Sequence, residues 1–295
     1  MPELPEVEIV RRGLAPAMEG VSFADVTLNR ADLRFPFDVN FAERLQSERI
    51  SRLTRRAKYL IAETASGLGL AMHLGMTGRF TIVQKGTDRP RTPGVFYYDY
   101  DADPRHDHVI FAMSSGDVIR YNDVRRFGYM TLFPVAEIED HPLFRSLGVE
   151  PLSSQLSPEY LAGKAKGKSQ PLKHFLLDQR VIAGLGNIYV CEALFRAGLP
   201  PHDEAGILAK GKRGAAAAAS LCASIKSVLE DALLAGGSSL RDYRHVDGGA
   251  GTFQERFDVY GRAGQPCHNS CGSAIERKVQ QGRSTFFCPR CQGKL

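Results

Sequence analysis

Four cysteines crowd the last 29 residues, Cys267, Cys271, Cys288 and Cys291, spaced C-x3-C, sixteen residues, then C-x2-C. Two close pairs on hairpin-like knuckles supply four thiolates to a tetrahedral zinc, which is how a segment too small for its own core stays folded. Disulfides are the alternative, and they need an oxidising compartment that no secretion signal announces. The spacing therefore predicts one structural zinc per chain. The intervening QQGRSTFF puts Arg283 at a hairpin tip. A second unusual placement opens the chain, MPELPEVEIVRRGL. Pro5 suits the first helical position, Glu6 and Glu8 suit the positive end of the helix dipole, and Val7, Val10 and Leu14 form an apolar stripe. Pro2 and Glu3 are surplus to that helix start. Removal of Met1 would make the ring nitrogen of Pro2 a free amino terminus beside Glu3.

Other groups lie on turns. VIAGLGNIY (181–189) sets two glycines and Asn187 ahead of a helix, which fits either a backbone cradle for phosphate or an ordinary capping turn. No Gly-Lys-Ser/Thr follows, so it is not a Walker loop. Residues 161–174 hold four lysines and no acid, which makes a nucleic-acid backbone the better candidate anion. In HLGMTGRF (73–80) and YNDVRRFGYM (121–130), Met76 and Phe127 stand beside glycines. By residue type alone they are core strand residues. The functional alternative makes them wedges entering a base stack.

The elements that carry these groups change character along the chain. Residues 21–133 read as strands, with VIFAM and VIRY forming a hairpin and 71–83 forming two strands broken at Gly75–Gly78. After Pro134 the pattern is helical: 157–165 with a Ser cap, 171–179, 187–198, and a long Ala-rich helix closed by Gly236–Gly237. Cys191 and Cys222 fall on apolar helical faces. At 295 residues, 43% apolar and 24% charged, the composition is that of an ordinary soluble chain of about two domains. No apolar run approaches the ~18 residues of a membrane span, and the first twenty residues lack a signal peptide's apolar stretch. These features argue against membrane and secreted classes and predict a cytoplasmic protein. The net charge of +5 fits nucleic acid without demanding it.

PELPEVE, RRAKYL (55–60), HLGMTG (73–78), RHDHV (105–109), VRRFG (124–128), GLGNIY (184–189) and the four-cysteine segment occur in that order. The series resembles the formamidopyrimidine-DNA glycosylase family, bacterial enzymes that remove oxidised purines from DNA, over essentially the whole chain. The resemblance implies an α+β multidomain fold: an N-terminal β-sandwich with its helix (1–135), a linker (136–151), a helix–two-turn–helix module (152–261) and a zinc finger (262–295). It also implies double-stranded DNA held across the cleft between halves, β,δ-elimination after base release, a monomer, and a bacterial cytoplasmic protein that joins the nucleoid when acting.

The resemblance makes Pro2 the nucleophile. An α-amino group has a reference pKa of about 8 against about 10.4 for lysine, so more of it is unprotonated at neutral pH. Glu3 matches the general acid/base, Lys58 the phosphate contact and β-elimination lysine, and Arg283 the δ-elimination and phosphate residue. His106, Arg125, Lys168 and Asn187 match DNA contacts. Met76, Arg125 and Phe127 match the triad that fills the space left by the extruded base. Lys173 and the loop at 241–253 match the region that reads that base. Two features depart from the family pattern: the C-x3-C knuckle, where one extra residue must bulge, and an expanded loop at 84–104. The sibling endonuclease VIII type, directed at oxidised pyrimidines, is disfavoured by PELPEVE with Met76, Arg125 and Phe127. A silent zinc-bearing DNA-binding protein would need neither Pro2, Glu3 nor Lys58.

Overall fold

Helix α1 (Leu4–Met18) starts one residue earlier than the proline rule places it, with Glu3 as N-cap and Pro5 second in the helix. The reason is a reciprocal capping box: Glu3 caps the third helical N–H, and its own backbone N–H donates to Glu6 Oε2 at 2.9 Å. Val7, Val10, Leu14 and Met18 then face one core. The structure is a computed structural model that describes residues 1–87, 90–93, 103–237 and 253–293. Most of the expanded loop and of the base-reading loop at 241–253 lies outside those residues. The chain divides into two compact units, Met1–Arg145 with Ala235–Thr252, and Ser146–Leu234 with Phe253–Leu295.

The first unit continues with β1 (Phe23–Leu28), α2 (Phe41–Leu45), β2 (Ile50–Arg56), β3 (Tyr59–Thr64), β4 (Leu68–His73), β5 (Arg79–Val83), the two-residue β6 (Pro90–Arg91), β7 (Asp107–Met113), β8 (Val118–Asn122) and β9 (Tyr129–Pro134). They form two antiparallel sheets, ordered β1-β7-β8-β5-β6 and β2-β3-β4-β9. Alternate residues such as Phe80 and Ile82, Val109 and Phe111, and Leu70 and Met72 fill one shared core. The expected hairpin is β7–β8. The expected pair at 71–83 is β4 and β5, but these belong to different sheets, so residues 74–78 are a crossover between sheets. Residues 123–128 make the same crossing from β8 to β9.

The second unit holds α3 (Pro158–Ala165), α4 (Leu172–Leu177), α5 (Asn187–Arg196), α6 (Gly211–Leu234) and a hairpin of β10 (Glu276–Gln280) and β11 (Arg283–Phe287). Ser157 Oγ accepts the Tyr160 N–H at 3.1 Å and caps α3. The hairpin turns on Gln281 and Gly282, both left-handed at φ 47° and 74°, the twist a two-residue loop requires. Arg283 is thus the first residue of β11. The cysteine tail packs on α5: Cys191 and Phe195 share a small core with Val259, Cys267, Ile275, Phe286 and Cys288. A segment this short borrows a helix face instead of closing its own core. The buried Glu192 of α5 ties the approach to the tail by accepting backbone N–H groups of Asp258, Val259 and Tyr260 at 2.8, 3.0 and 2.8 Å. Among the described residues, no helix is long and apolar enough to cross a membrane.

Candidate active site

In the first unit, register decides what meets what. Tyr59 pairs with His73 across β3–β4, and His73 with Tyr129 across β4–β9. Lys58, in the Ala57-Lys58 turn before β3, therefore sits at the same sheet end as the two crossovers. Pro2, Glu3 and Lys58 are all buried. Burial lowers the pKa of the chain's amino group below its ordinary value; Glu3 and Glu6 oppose the shift, while Lys58 and Arg125 add to it. That amine belongs to Met1 and stands one residue ahead of the Pro2 nitrogen. The amino end thus lies within electrostatic reach of two carboxylates and two cations of the first unit.

His73 was not singled out by sequence. It stacks on Tyr129 with ring centroids 5.1 Å apart, and Tyr59 donates to or accepts from Tyr129 at 2.6 Å behind it. Burial, with Lys58 and Arg34 adding to it, pushes its pKa down to about 4. The neutral ring accepts the Gly75 N–H at Nδ1, 3.0 Å away, so Nε2 carries the proton and is a donor. Its position at the head of HLGMTG was the available signal.

The two crossovers touch backbone to backbone. A Cβ on Gly75 would lie 2.3 Å from the carbonyl carbon of Phe127, and one on Gly128 would lie 1.7 Å from the Tyr121 hydroxyl. Glycine at both places is what this approach requires. Met76 is half-buried, and Arg125 and Phe127 are exposed, Phe127 at 42%. The reading of Met76 and Phe127 by residue type as core is therefore corrected: both ride on crossovers, not strands. The Arg125 guanidinium lies 4.5 Å from the Phe127 ring centroid. Leu33, Arg34, Arg125, Arg126 and Phe127 line a cleft of about 380 Å³. His106, half-buried, ends a short turn over Pro104–His106, and its carbonyl accepts the Asp123 N–H at 3.0 Å.

In the second unit, Lys168 and Arg283 are exposed. Asn187 is the first residue of α5 and Gly186 its cap; the Asn187 side chain donates to the Ser284 carbonyl at 2.9 Å. The glycine turn is held from within, because Gln179 accepts the Gly184 N–H at 2.8 Å and donates to the Leu185 carbonyl at 2.8 Å. Lys173 departs from expectation. It is 0% exposed, and its Nζ donates to the Ser284 carbonyl at 2.9 Å and Thr285 Oγ1 at 2.7 Å. A lysine so enclosed cannot read an extruded base. It is a strut that fixes β11 one residue beyond Arg283.

The four sulfurs of Cys267, Cys271, Cys288 and Cys291 lie within 4.8 Å of one another. Cys267 and Cys291 are 3.7 Å apart, and Cys271 and Cys288 3.5 Å. Zinc–sulfur bonds of about 2.3 Å in a tetrahedron put sulfurs about 3.8 Å apart, so the donor set fits one structural zinc. The extra knuckle residue is absorbed at Ser270, left-handed at φ 52°. His268 turns away to Asp258 at 3.3 Å. Elemental analysis of metal-replete protein is expected to find one zinc per chain. Chelation is expected to remove amide-exchange protection from residues 264–293 and from the face of α5 beneath them. Metal-replete protein without zinc would refute the site.

Family models match in three consecutive stretches: the formamidopyrimidine-DNA glycosylase N-terminal domain over residues 1–130, its H2TH domain over 147–244, and the zinc finger found in FPG and IleRS over 264–293. The formamidopyrimidine-DNA glycosylase of Rhodopseudomonas palustris (strain BisA53) is 53% identical over 294 residues, covering 99% of this chain and 100% of that protein. That of Beijerinckia indica is 54% identical over 295 residues, covering 99% and 100%. Among solved structures, the MutM (Fpg) protein of Thermus thermophilus superposes with a TM-score of 0.81 at 37% identity, covering all of both chains. The Lactococcus lactis Fpg in complex with DNA containing an abasic site gives 0.82 at 30% identity over 99% of this chain and 100% of that one. Matched by these models from one end to the other and by relatives more than half identical over its full length, the chain belongs to the formamidopyrimidine-DNA glycosylase family.

Proposed function

We propose that the protein is a base-excision-repair DNA glycosylase that removes oxidised purines, 8-oxoguanine and formamidopyrimidines, from duplex DNA and then cleaves the strand as a lyase. The observation that carries this reading is the burial of Pro2, Glu3 and Lys58 in a chain whose amino-terminal stretch matches the formamidopyrimidine-DNA glycosylase N-terminal domain. Once Met1 is removed, the Pro2 nitrogen uses its lone pair to form a bond to the sugar C1′. The C1′–base bond breaks, and the base leaves with its electron pair and takes up the proton that the Pro2 nitrogen gives up. Glu3 delivers a proton to the ring oxygen as the sugar opens, and later shuttles protons beside Pro2. A secondary amine has no N–H left to lose, so the adduct is an iminium cation. That cation draws electrons from C2′, the 2′ proton is lost, and the 3′ carbon–oxygen bond breaks with its electrons going to the phosphate.

Lys58 and Arg283 neutralise phosphate and assist the eliminations. Lys168, Asn187 and His106 position the backbone, and Met76, Arg125 and Phe127 fill the vacated space. Lys173 supports β11 in this scheme and does not itself meet the base.

Borohydride reduction during turnover on an 8-oxoguanine duplex is expected to trap protein on DNA through the Pro2 nitrogen, mapped by mass spectrometry. A blocked or extended amino terminus should abolish cleavage while duplex binding persists. An adduct on a lysine, with Pro2 free, would sink the mechanism.

A further inference from the structure

Asp123 is 0% exposed and lies where three candidate DNA-contacting segments meet. One carboxylate oxygen accepts the Thr77 hydroxyl of the first crossover. The other accepts the Gly128 N–H of the second crossover at 2.8 Å and the Tyr121 hydroxyl at 3.3 Å. Its backbone N–H reaches the His106 carbonyl at 3.0 Å, and its carbonyl meets His108 Nε2 at 2.9 Å. A buried carboxylate is costly to desolvate, and three donors, from Thr77, Tyr121 and Gly128, offset that cost here. One of those bonds also orients Thr77. By taking the Thr77 proton, Asp123 turns the hydroxyl lone pairs toward Arg125, whose backbone N–H donates to Thr77 Oγ1 at 3.1 Å. The chain of bonds therefore runs from Asp123 through Thr77 to the residue whose guanidinium is the candidate reader of the opposite base.

We propose that Asp123, acting through Thr77, is a positioning residue that sets opposite-base discrimination by fixing Arg125 relative to Met76 and Phe127. The proposal rests on the reading that Arg125 fills the space left by the extruded base, which sets its guanidinium against the opposite base. Thr77→Val removes both bonds of the relay at nearly constant volume, and Thr77→Ser restores them. Asp123→Asn is a second disruption: its amide keeps one acceptor for Gly128 but can present an N–H to Thr77 in place of an oxygen.

The test is single-turnover excision of 8-oxoguanine opposite cytosine and opposite adenine, with melting temperature measured alongside. In Thr77→Val, the cytosine-over-adenine rate ratio is expected to shrink roughly three- to tenfold, the worth of one buried hydrogen bond. Thr77→Ser should recover the ratio, and Asp123→Asn should shift it in the same direction as Thr77→Val. A merely structural role would alter melting and overall rate together and leave the ratio alone. An unchanged ratio in Thr77→Val, or failure of Thr77→Ser to rescue it, would overturn the inference while the functional reading stood. No excision by the unsubstituted protein on either duplex would overturn both.

Discussion

Glu3→Gln is expected to lose base excision by about 10²–10⁴-fold while still binding lesion-containing duplex, the magnitude of a removed general acid/base. The substitution isolates chemistry from structure because of how Glu3 is built in. Its carboxylate caps the third N–H of α1, and a glutamine oxygen accepts that bond equally well. Its backbone N–H still donates to Glu6. Helix, burial and shape persist, and only the transferable proton is gone. Single-turnover excision and a binding isotherm on the same 8-oxoguanine duplex separate the two properties. Near-normal excision would reduce Glu3 to a helix cap.

Arg125→Ala is expected to lose the preference for 8-oxoguanine opposite cytosine over adenine, a bias of about tenfold to hundredfold if one bidentate contact is worth roughly 1–3 kcal/mol. A guanidinium offers only donors. Cytosine presents acceptors at O2 and N3 on its pairing edge, whereas adenine sets a donating amino group beside N1. The exposed Arg125 is held from two sides, by the Phe127 ring at 4.5 Å and by its own N–H on Thr77. Phe127→Ala removes one of these holds, so it should cost overall rate and keep the larger part of the bias. The four rates, two variants on two duplexes, decide the matter. Full bias in Arg125→Ala would make that residue a phosphate contact.

Local signals in the sequence carried far. The β7–β8 hairpin, the Ser157 cap and the four-cysteine spacing each follow from a few neighbouring residues. What stayed hidden depends on partners distant in the chain. Periodicity marks β4 and β5 as strands but cannot say that they lie in different sheets, so the loop bearing Met76 looked like a simple break. Lys173 sits in a basic stretch and looks solvent-facing until β11, 111 residues later, closes over it. Asp123 is one acid in a charged stretch until Thr77 and Gly128 converge on it. Composition shows a side chain's chemistry, and burial assigns its use.

The bare backbone contact at Gly75 has a kinetic consequence. With no gap between the crossovers, they cannot slide past each other, and their ordering entropy is lost on folding and not on meeting DNA. On the proposed reading, Met76, Arg125 and Phe127 would press on a duplex together, as the teeth of one comb. The barrier at each base step would then be set by the DNA's resistance to unstacking, and hardly at all by the protein. A search run this way would apply the same push everywhere, pausing where damage has weakened the stack and moving on where it has not.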